Sequence, residues 1–201
     1  MITHAVRSKL FDLRHQREAA TRTRELIDRR REVLLRALLE RTVARDRQRS
    51  RVAADLTAAR LKLRLAAADV GALALDSAAL AQPAAHPIDA RRTATMGVSL
   101  LVLQAAFEPF RPRYAPAGSA LPVDSAGEAF AALLPAIVAL VQEEAAVRNL
   151  ERGLRKTLRL LNALEKVVLP DLHASIRAVI ASIEEEERDD GLRRRRQLAL
   201  R

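Results

Sequence analysis

The first third of this chain contains almost nothing that would end a helix. Residues 5–75 have no proline, and their only glycine is Gly71. Proline and glycine are the commonest helix breakers, so an uninterrupted stretch of this length is rare in globular folds and usual in coiled coils. Leu, Ala, Arg and Glu are abundant and aromatic residues make up only 2%, which favours long helices over a sheet. The sequence therefore predicts a mostly α fold.

Apolar residues of this segment recur at steps of three and four, which places them on one face of a helix. Arg17, Arg24 and Arg31 interrupt the stripe at every seventh residue of its first half. An unpaired buried arginine is costly, so we expect these three to extend into solvent, pair with acids of a second helix, or face a protein partner. The second half is regular, at Val52, Leu56, Ala59, Leu63, Ala66 and Val70.

The middle of the chain has a different character, because residues 76–123 hold six of the eight prolines. Prolines at that density end helices and mark loops or edge strands. The apolar run 98–103 predicts a strand, and we expect a second short strand near Tyr114. These residues predict a small hairpin-like head inserted between two long helices.

A second long helix is predicted to begin near residue 125, where Ser125 and Glu128 have the form of a capping box. Pro135 is expected to bend this helix or to mark a later start. The predicted division is thus a first long helix over 1–75, an insert over 76–123 and a second long helix over 124–201. The two helices would fold back on each other as an antiparallel coiled coil. The predicted seam of the second helix is apolar at twelve of its sixteen positions, which are 126, 130, 133, 137, 140, 144, 147, 151, 154, 158, 161, 165, 168, 172, 175 and 179.

The segment 156–172, KTLRLLNALEKVVLPDL, carries the most specific signal. Its residues 162–165, Val167, Leu169, Pro170 and Leu172 resemble the NALE-x-V-x-(I/L)-P-x-L signature of the D subunit of A/V-type ATPases and ATP synthases. In that family the D subunit is the central rotor shaft. The resemblance extends to residues 6–13 and 26–36, and it is close over the acidic and then basic run at 184–193. Pro170 itself is expected to kink the helix.

The resemblance implies a place in a larger machine. In the D-subunit family the coil that holds both termini lies inside a hexamer of catalytic A and nucleotide-binding B subunits, with one copy per complex. The other end of the shaft carries the F subunit and rests on a funnel-shaped protein that links it to the membrane ring. We expect partner contacts at ten residues, which are Arg17, Arg24, Arg31, Asn162, Glu165, Pro170, Glu184, Glu185, Arg188 and Arg193.

Several kinds of chemistry have no support in the sequence. The chain has no cysteine, its four histidines are scattered, and it has no phosphate-binding G-x-x-x-x-G-K-[ST] motif. We therefore expect no catalytic site, no cofactor and no metal, and hence no enzyme activity of the chain on its own. The N-terminus does not resemble a signal peptide, and the longest apolar runs fall short of the roughly 18 residues of a membrane span. Together with this, the resemblance implies a peripheral position on the cytoplasmic side of a membrane-associated complex.

Two other classes of function fit parts of the pattern. The net charge is +10, and residues 1–65 account for all of it with eighteen Lys and Arg against eight Asp and Glu. A basic coiled coil could bind nucleic acid, but the charges are mixed in sign and no aromatic residues are interleaved for base stacking. The stalk of a flagellar export or F-type ATPase would share the two-helix design. Those stalks lack the 162–172 signature, so the A/V-type rotor shaft is favoured and no nucleic acid is expected.

Overall fold

Helix α1 runs from Ile2 to Val70 and is followed by a short helix α2 over Ala72–Leu80 in the computed structural model. The structure describes residues 2–82, 87–114 and 120–199, and their side chains over 6–82, 87–114 and 121–196. Two strands, β1 (Ile88–Thr95) and β2 (Val98–Ala105), come next. Helix α3 (Ala120–Ala163), a π-helical turn (Leu164–Val168) and helix α4 (Leu169–Ala199) complete the fold. Of the residues that the structure describes, 83% are helical, and their arrangement confirms two long helices with a small β hairpin between them.

The chain divides into two compact units. We call Met1–Val33 together with Leu154–Arg201 the terminal unit, and Leu34–Gly153 the middle unit. Polar contacts show that the helices are antiparallel within each unit, because the partner's number falls as the number along α1 rises. Arg7 pairs with Glu187 and Arg24 with Glu165 in the terminal unit. In the middle unit Arg41 pairs with Glu143, and Gln48 donates to the carbonyl of Ala136. In both cases a residue of α1 meets the second long helical stretch running in the opposite direction.

The apolar stripe predicted for α1 is the face that the helix buries. Every predicted position from Val52 to Val70 is buried or half-buried, while the residues between them are mostly exposed. Val52 and Ala59 pack with Leu133 of α3, and Ala66 packs with Ala126. Small alanines alternate with larger side chains along this seam, and Ala59 and Ala66 are fully buried in it. The regular spacing thus predicted the core of the middle unit.

The first helix ends five residues earlier than predicted. α1 stops at Val70 because Gly71 takes a positive φ of 84°, which only glycine adopts without strain. Its amide still donates to the carbonyl of Ala67, and its own carbonyl accepts from the amide of Leu75. The chain therefore restarts at once as α2, whose Ala78 packs against the core beside Ala66.

The second long helix begins before its predicted start. α3 starts at Ala120, so Ser125 lies inside the helix and the predicted capping box is wrong. Pro122 is compatible with this earlier start, because the first turn of a helix needs no backbone donor there. Pro135 lies within α3 on an exposed position, so it does not mark a later start.

The partner of the predicted strand also differs from the expectation. β2 covers the predicted run 98–103, but it pairs antiparallel with β1, which precedes it, and no strand forms at Tyr114. Met96 and Gly97 close the hairpin with φ values of 48° and 74°. Two consecutive positive φ values are the pattern of a type I′ turn, which matches the twist of the two strands. The tight turn at Met96 and Gly97 therefore pairs β2 with β1, the segment directly before it.

Helix α3 holds the hairpin through one edge and one close contact. The amide of Leu103 donates to Gln142 Oε1 at 3.0 Å, and Asn149 Nδ2 donates to the carbonyl of Ser99 at 3.0 Å. Val98 is buried against Gly153, where a Cβ atom would overlap one of its methyl groups. The hairpin is thereby fixed to α3 along β2.

The segment after β2 lies on α3 as well. The ring of Phe110 occupies the space where Gly127 lacks a side chain. The hydroxyl of Tyr114 donates a hydrogen bond to the carboxylate of Asp124. Burial of the phenol, and then the hydrogen bond to Asp124, raise the pKa of Tyr114 to about 12.

Tyr114 is the only tyrosine of the chain, so its ionisation can be followed directly. We expect a midpoint near pH 12 in the absorbance of tyrosinate, about two units above an unperturbed tyrosine. Because the folded pKa exceeds the unfolded one, the contact stabilises the fold below about pH 10 and this stabilisation is lost toward pH 12. Asp124→Asn should lower the midpoint but leave it above 10, since burial remains. A wild-type midpoint at 10 would contradict the contact.

One helical stretch meets the length and composition of a membrane span. Within the described residues, Leu121–Arg196 contains an 18-residue window with a mean hydropathy of 1.7, of which 17% is buried in the structure. The expectation that the chain has no apolar stretch of this length was based on uninterrupted apolar runs alone. Core helices of soluble proteins meet the same criterion, so a single helix of this kind is weak evidence for a span.

Candidate functional site

The signature segment 162–172 lies where the second long helical stretch departs from α-helical geometry. Leu164–Val168 form a π-helical turn, in which the amide of Leu169 donates to the carbonyl of Leu164. Pro170 follows directly. In a regular α-helix its ring would press on the carbonyl of residue 166 and leave that carbonyl without a donor, and a widened turn relieves this contact. The disturbance expected at Pro170 is therefore located in the turn that precedes it.

The extra residue of the π turn changes which side chains face α1. Leu161 is 5% exposed before the turn and Ile176 is buried after it, whereas Val168 is 38% exposed. Leu169 is half-buried instead. The predicted seam position at Val168 is therefore wrong, because a π turn advances the helix face by one residue.

A second departure from the predicted seam concerns a polar residue. Thr157 is 1% exposed, while its neighbour Leu158, a predicted seam position, is 39% exposed. Hydrophobic spacing selects leucine over threonine at adjacent positions, so a buried threonine gives no signal in such a pattern. Two further predicted positions, Ile137 and Ser175, are also exposed.

Glu165, within the π turn, forms an ion pair with Arg24 of α1. Its Oε1 accepts from Nε and Nη2 of Arg24 at 2.7 and 2.6 Å. The hydrogen bond to Glu165, and then its charge, raise the pKa of Arg24 above its ordinary value. Of the three outcomes expected for the stripe arginines, Arg24 thus pairs with an acid of the second helix.

The other two stripe arginines have different surroundings. Arg31 is half-buried and pairs with Asp28 of its own helix at 3.0 Å. Arg17 is half-buried and lines an open pocket of about 420 Å³ with His173, Ile176 and Arg177. The sequence left three alternatives open for these arginines, and the structure treats each differently: Arg24 pairs across the helices, Arg31 pairs within α1, and Arg17 lines the pocket.

The remaining predicted contact residues lie on the surface of the terminal unit. Asn162 and Pro170 are both exposed, one on each side of the π turn. Glu184, Glu185, Arg188 and Arg193 are exposed on α4, with Arg188 near Glu184 at 4.0 Å and Arg193 near Asp190 at 3.9 Å. Exposed pairs at such distances contribute little to stability, so these side chains remain available to a partner.

Two cross-helix pairs were missed by the sequence reasoning. Arg7 Nη2 lies 3.1 Å from Glu187 Oε1, and Arg41 Nη1 lies 2.7 Å from Glu143 Oε1. Neither pair has a helical spacing in the sequence. Only the alignment of the two antiparallel helices brings these residues together.

The part of the chain that the structure describes contains no candidate metal-binding site. No group of three or more His, Cys, Asp or Glu side chains there could hold a metal ion. What the terminal unit offers is an antiparallel helix pair with an ion-paired π turn and an exposed, charged surface on α4.

A model of the family described as the D subunit of ATP synthase matches residues 9–197. The chain belongs to this ATP synthase D-subunit family. The match includes both long helical stretches, the hairpin and the π turn.

Curated relatives agree with this assignment. The chain is 30% identical over 142 residues to the D subunit of the A-type ATP synthase of Thermococcus sibiricus, a match over 69% of this chain and about two thirds, 66%, of that protein. It is 29% identical over 192 residues to the D subunit of the V-type ATP synthase of Thermus thermophilus, over 94% and 85% of the two chains. It is 25% identical over 192 residues to the D subunit of the A-type ATP synthase of Methanopyrus kandleri, over 94% and 83%.

The Arg24–Glu165 contact can be tested by a double-mutant cycle. We expect Arg24→Gln and Glu165→Gln to lower the unfolding free energy by less together than the sum of the two single changes, because either one already removes the pair. The coupling should shrink as salt is added, since both side chains are partly exposed. The control is the same cycle on the Arg31–Asp28 pair. Both of these residues lie in α1, so removing their pair leaves the Arg24–Glu165 contact between the helices intact. A zero coupling at low salt would contradict the pair.

Proposed function

We propose that this chain is the central-stalk rotor subunit of an A/V-type ATP synthase. Its rotation would couple ion flow through a membrane ring to ATP synthesis or hydrolysis in a hexamer of A and B subunits. Family membership over residues 9–197 carries the proposal. In this role the chain itself is not catalytic, is present in one copy, and lies on the cytoplasmic side as a peripheral part of a membrane-associated complex.

The physical requirement for such a rotor is that each stator subunit meets a different face of it. A ligand or partner shifts an equilibrium only through differential contact with its states. Two different helices side by side have no rotational symmetry, so each catalytic site would meet a different set of side chains. Pro170 and Glu185 on one helix and Arg17 on the other illustrate this difference.

We propose that the exposed charges of the terminal unit make the contacts with the A and B subunits. The proposed contact set is the ten residues predicted from the sequence, which also include the uncharged Asn162 and Pro170. Arg24 is an exception within this set. Because it pairs with Glu165, its proposed role is to hold the π turn against α1. The F subunit and the funnel-shaped protein of the membrane ring would bind elsewhere on the chain.

The first experiment is isolation of the tagged chain from host membranes with subunit stoichiometry by quantitative mass spectrometry. We expect one copy of this chain for every three A-type and three B-type subunits, together with one small F-type partner. Recovery of nucleic acid, or of an export ATPase without A and B subunits, would overturn the proposal.

Rotation itself needs a second measurement on the same complex. A bead attached through a cysteine at exposed Ala74 of α2, in a chain that has no native cysteine, should turn when ATP is supplied to surface-fixed A and B subunits. The matched control fixes the complex through this chain and places the bead on one of the A subunits, which should then turn in the opposite sense. A complex of correct stoichiometry that hydrolyses ATP with a stationary bead would exclude the rotor role.

A further inference from the structure

The two edges of the β hairpin differ in their partners. Backbone groups on the outer edge of β2 are bound by α3, through Leu103 with Gln142 and Ser99 with Asn149. Among the described residues, no hydrogen bond reaches the outer edge of β1. Seven of the eight residues of β1 are exposed. One edge of this small sheet is thus covered and the other is open.

The register identifies the free backbone groups of β1. Leu103 pairs with Ala90 and Ser99 pairs with Ala94. Because Leu103 and Ser99 direct a backbone group away from β1, these are the non-hydrogen-bonded pairs of the ladder. Their partners on β1, together with the residues at every second position, therefore direct amides and carbonyls outward. The outward residues are Ile88, Ala90, Arg92 and Ala94.

Such an edge matches the backbone of another extended segment. The side chains of β1 indicate the chemistry of that segment. Arg91 and Arg92 point to opposite faces of the strand and both are exposed. On the face of Arg92 the neighbours in the strand are Ala90 and Ala94, which leave space for a larger side chain of an added strand. An acidic residue on either face of the added strand would meet an arginine.

The same arginines disfavour a second copy of this chain as the occupant. Two β1 edges that paired over most of their length would bring the arginines of both copies close together, and like charges on adjacent strands are destabilising. Charged side chains on edge strands are a common protection against self-association. They do not oppose a strand of opposite charge.

We propose that the outer edge of β1 is a docking edge for an extended, acidic segment of another subunit of the same ATP synthase, which adds a third strand to the hairpin. This inference rests on the proposed function, because it takes the partner from that complex. The added strand would receive the amides of Ala90, Arg92 and Ala94 and would pair its carboxylates with Arg91 and Arg92.

Hydrogen exchange at single-residue resolution tests the edge, in the free chain and in the isolated complex. In the free chain the amides of Arg91 and Thr93, which face β2, should exchange slowly, and those of Ala90, Arg92 and Ala94 rapidly. In the complex the latter three should slow at least tenfold. Rapid exchange in a complex that contains this chain would overturn the docking edge alone. Absence of the chain from the complex would overturn the proposed function as well.

Two variants test the chemistry of the occupant. Ala90→Pro removes an outward amide without changing charge, and proline is tolerated at such a position of an edge strand. It should abolish the slowed exchange at Arg92 and Ala94 in the complex while Arg91 and Thr93 stay slow in the free chain. Unchanged slow exchange at Arg92 and Ala94 in the Ala90→Pro complex would contradict strand addition.

Charge reversal provides the second arm. Arg91→Glu combined with Arg92→Glu keeps every backbone donor and should raise exchange at Ala90 and Ala94 in the complex at least tenfold. No change would show that the occupant is not acidic and would overturn that part of the inference. Slowed exchange of the free chain that depends on its own concentration would identify a second copy as the occupant and overturn the inference.

Discussion

Leu161→Asp should lower the free energy of unfolding of the terminal unit by about 4 kcal/mol. The substitution removes a buried leucine, worth about 2 kcal/mol, and places an unpaired carboxylate in a site that is 5% exposed. Glu165, one turn away, adds repulsion of like charge. Loss of helical circular dichroism on heating and in urea measures the change.

Val168→Asp is the matched control for Leu161→Asp. The two residues are equally apolar seam positions in the sequence pattern, but Val168 is 38% exposed because the π turn rotates it away from α1. We expect a change of less than about 1 kcal/mol, as for most surface substitutions. If both variants lost several kcal/mol, the seam would follow the uninterrupted seven-residue pattern and the π turn would be wrong.

Gly153→Ala should destabilise the middle unit by about 1–3 kcal/mol. The added methyl group would overlap a methyl of Val98, whose branched side chain has little freedom to move. β2 has little freedom to shift either, because Gln142 and Asn149 hold its outer edge. Hydrogen exchange of the hairpin amides and thermal unfolding together report the effect.

Two further variants separate this clash from a general effect of glycine replacement. Gly191→Ala in α4 meets no atom within 4 Å, so it should stabilise the helix by up to about 1 kcal/mol. Adding Val98→Ala to Gly153→Ala should recover part of the lost stability, because it removes the methyl groups in conflict. A destabilised Gly191→Ala, or no recovery in the double variant, would argue against the contact.

The sequence determined the fold class, the family and half of the core. Uninterrupted helix-forming residues and the three–four spacing at residues 52–70 placed the buried face of α1, because burial along a helix follows a local, periodic rule. The 162–172 segment identified the family through residue types in a fixed order. The run 98–103 identified β2 through its apolar, branched residues.

Only the tertiary structure decided how these parts meet. Met96 lacks the strong turn preference of asparagine, so the type I′ turn and the pairing of β1 with β2 could not be read from the sequence. The π turn before Pro170 shifted the buried face from Val168 to Leu169. The ion pair between Arg24 and Glu165 forms only because the register of the antiparallel helices places the two residues next to each other. Helical periodicity is a local property, whereas register, turn geometry and ion pairing between helices depend on residues far apart in the chain.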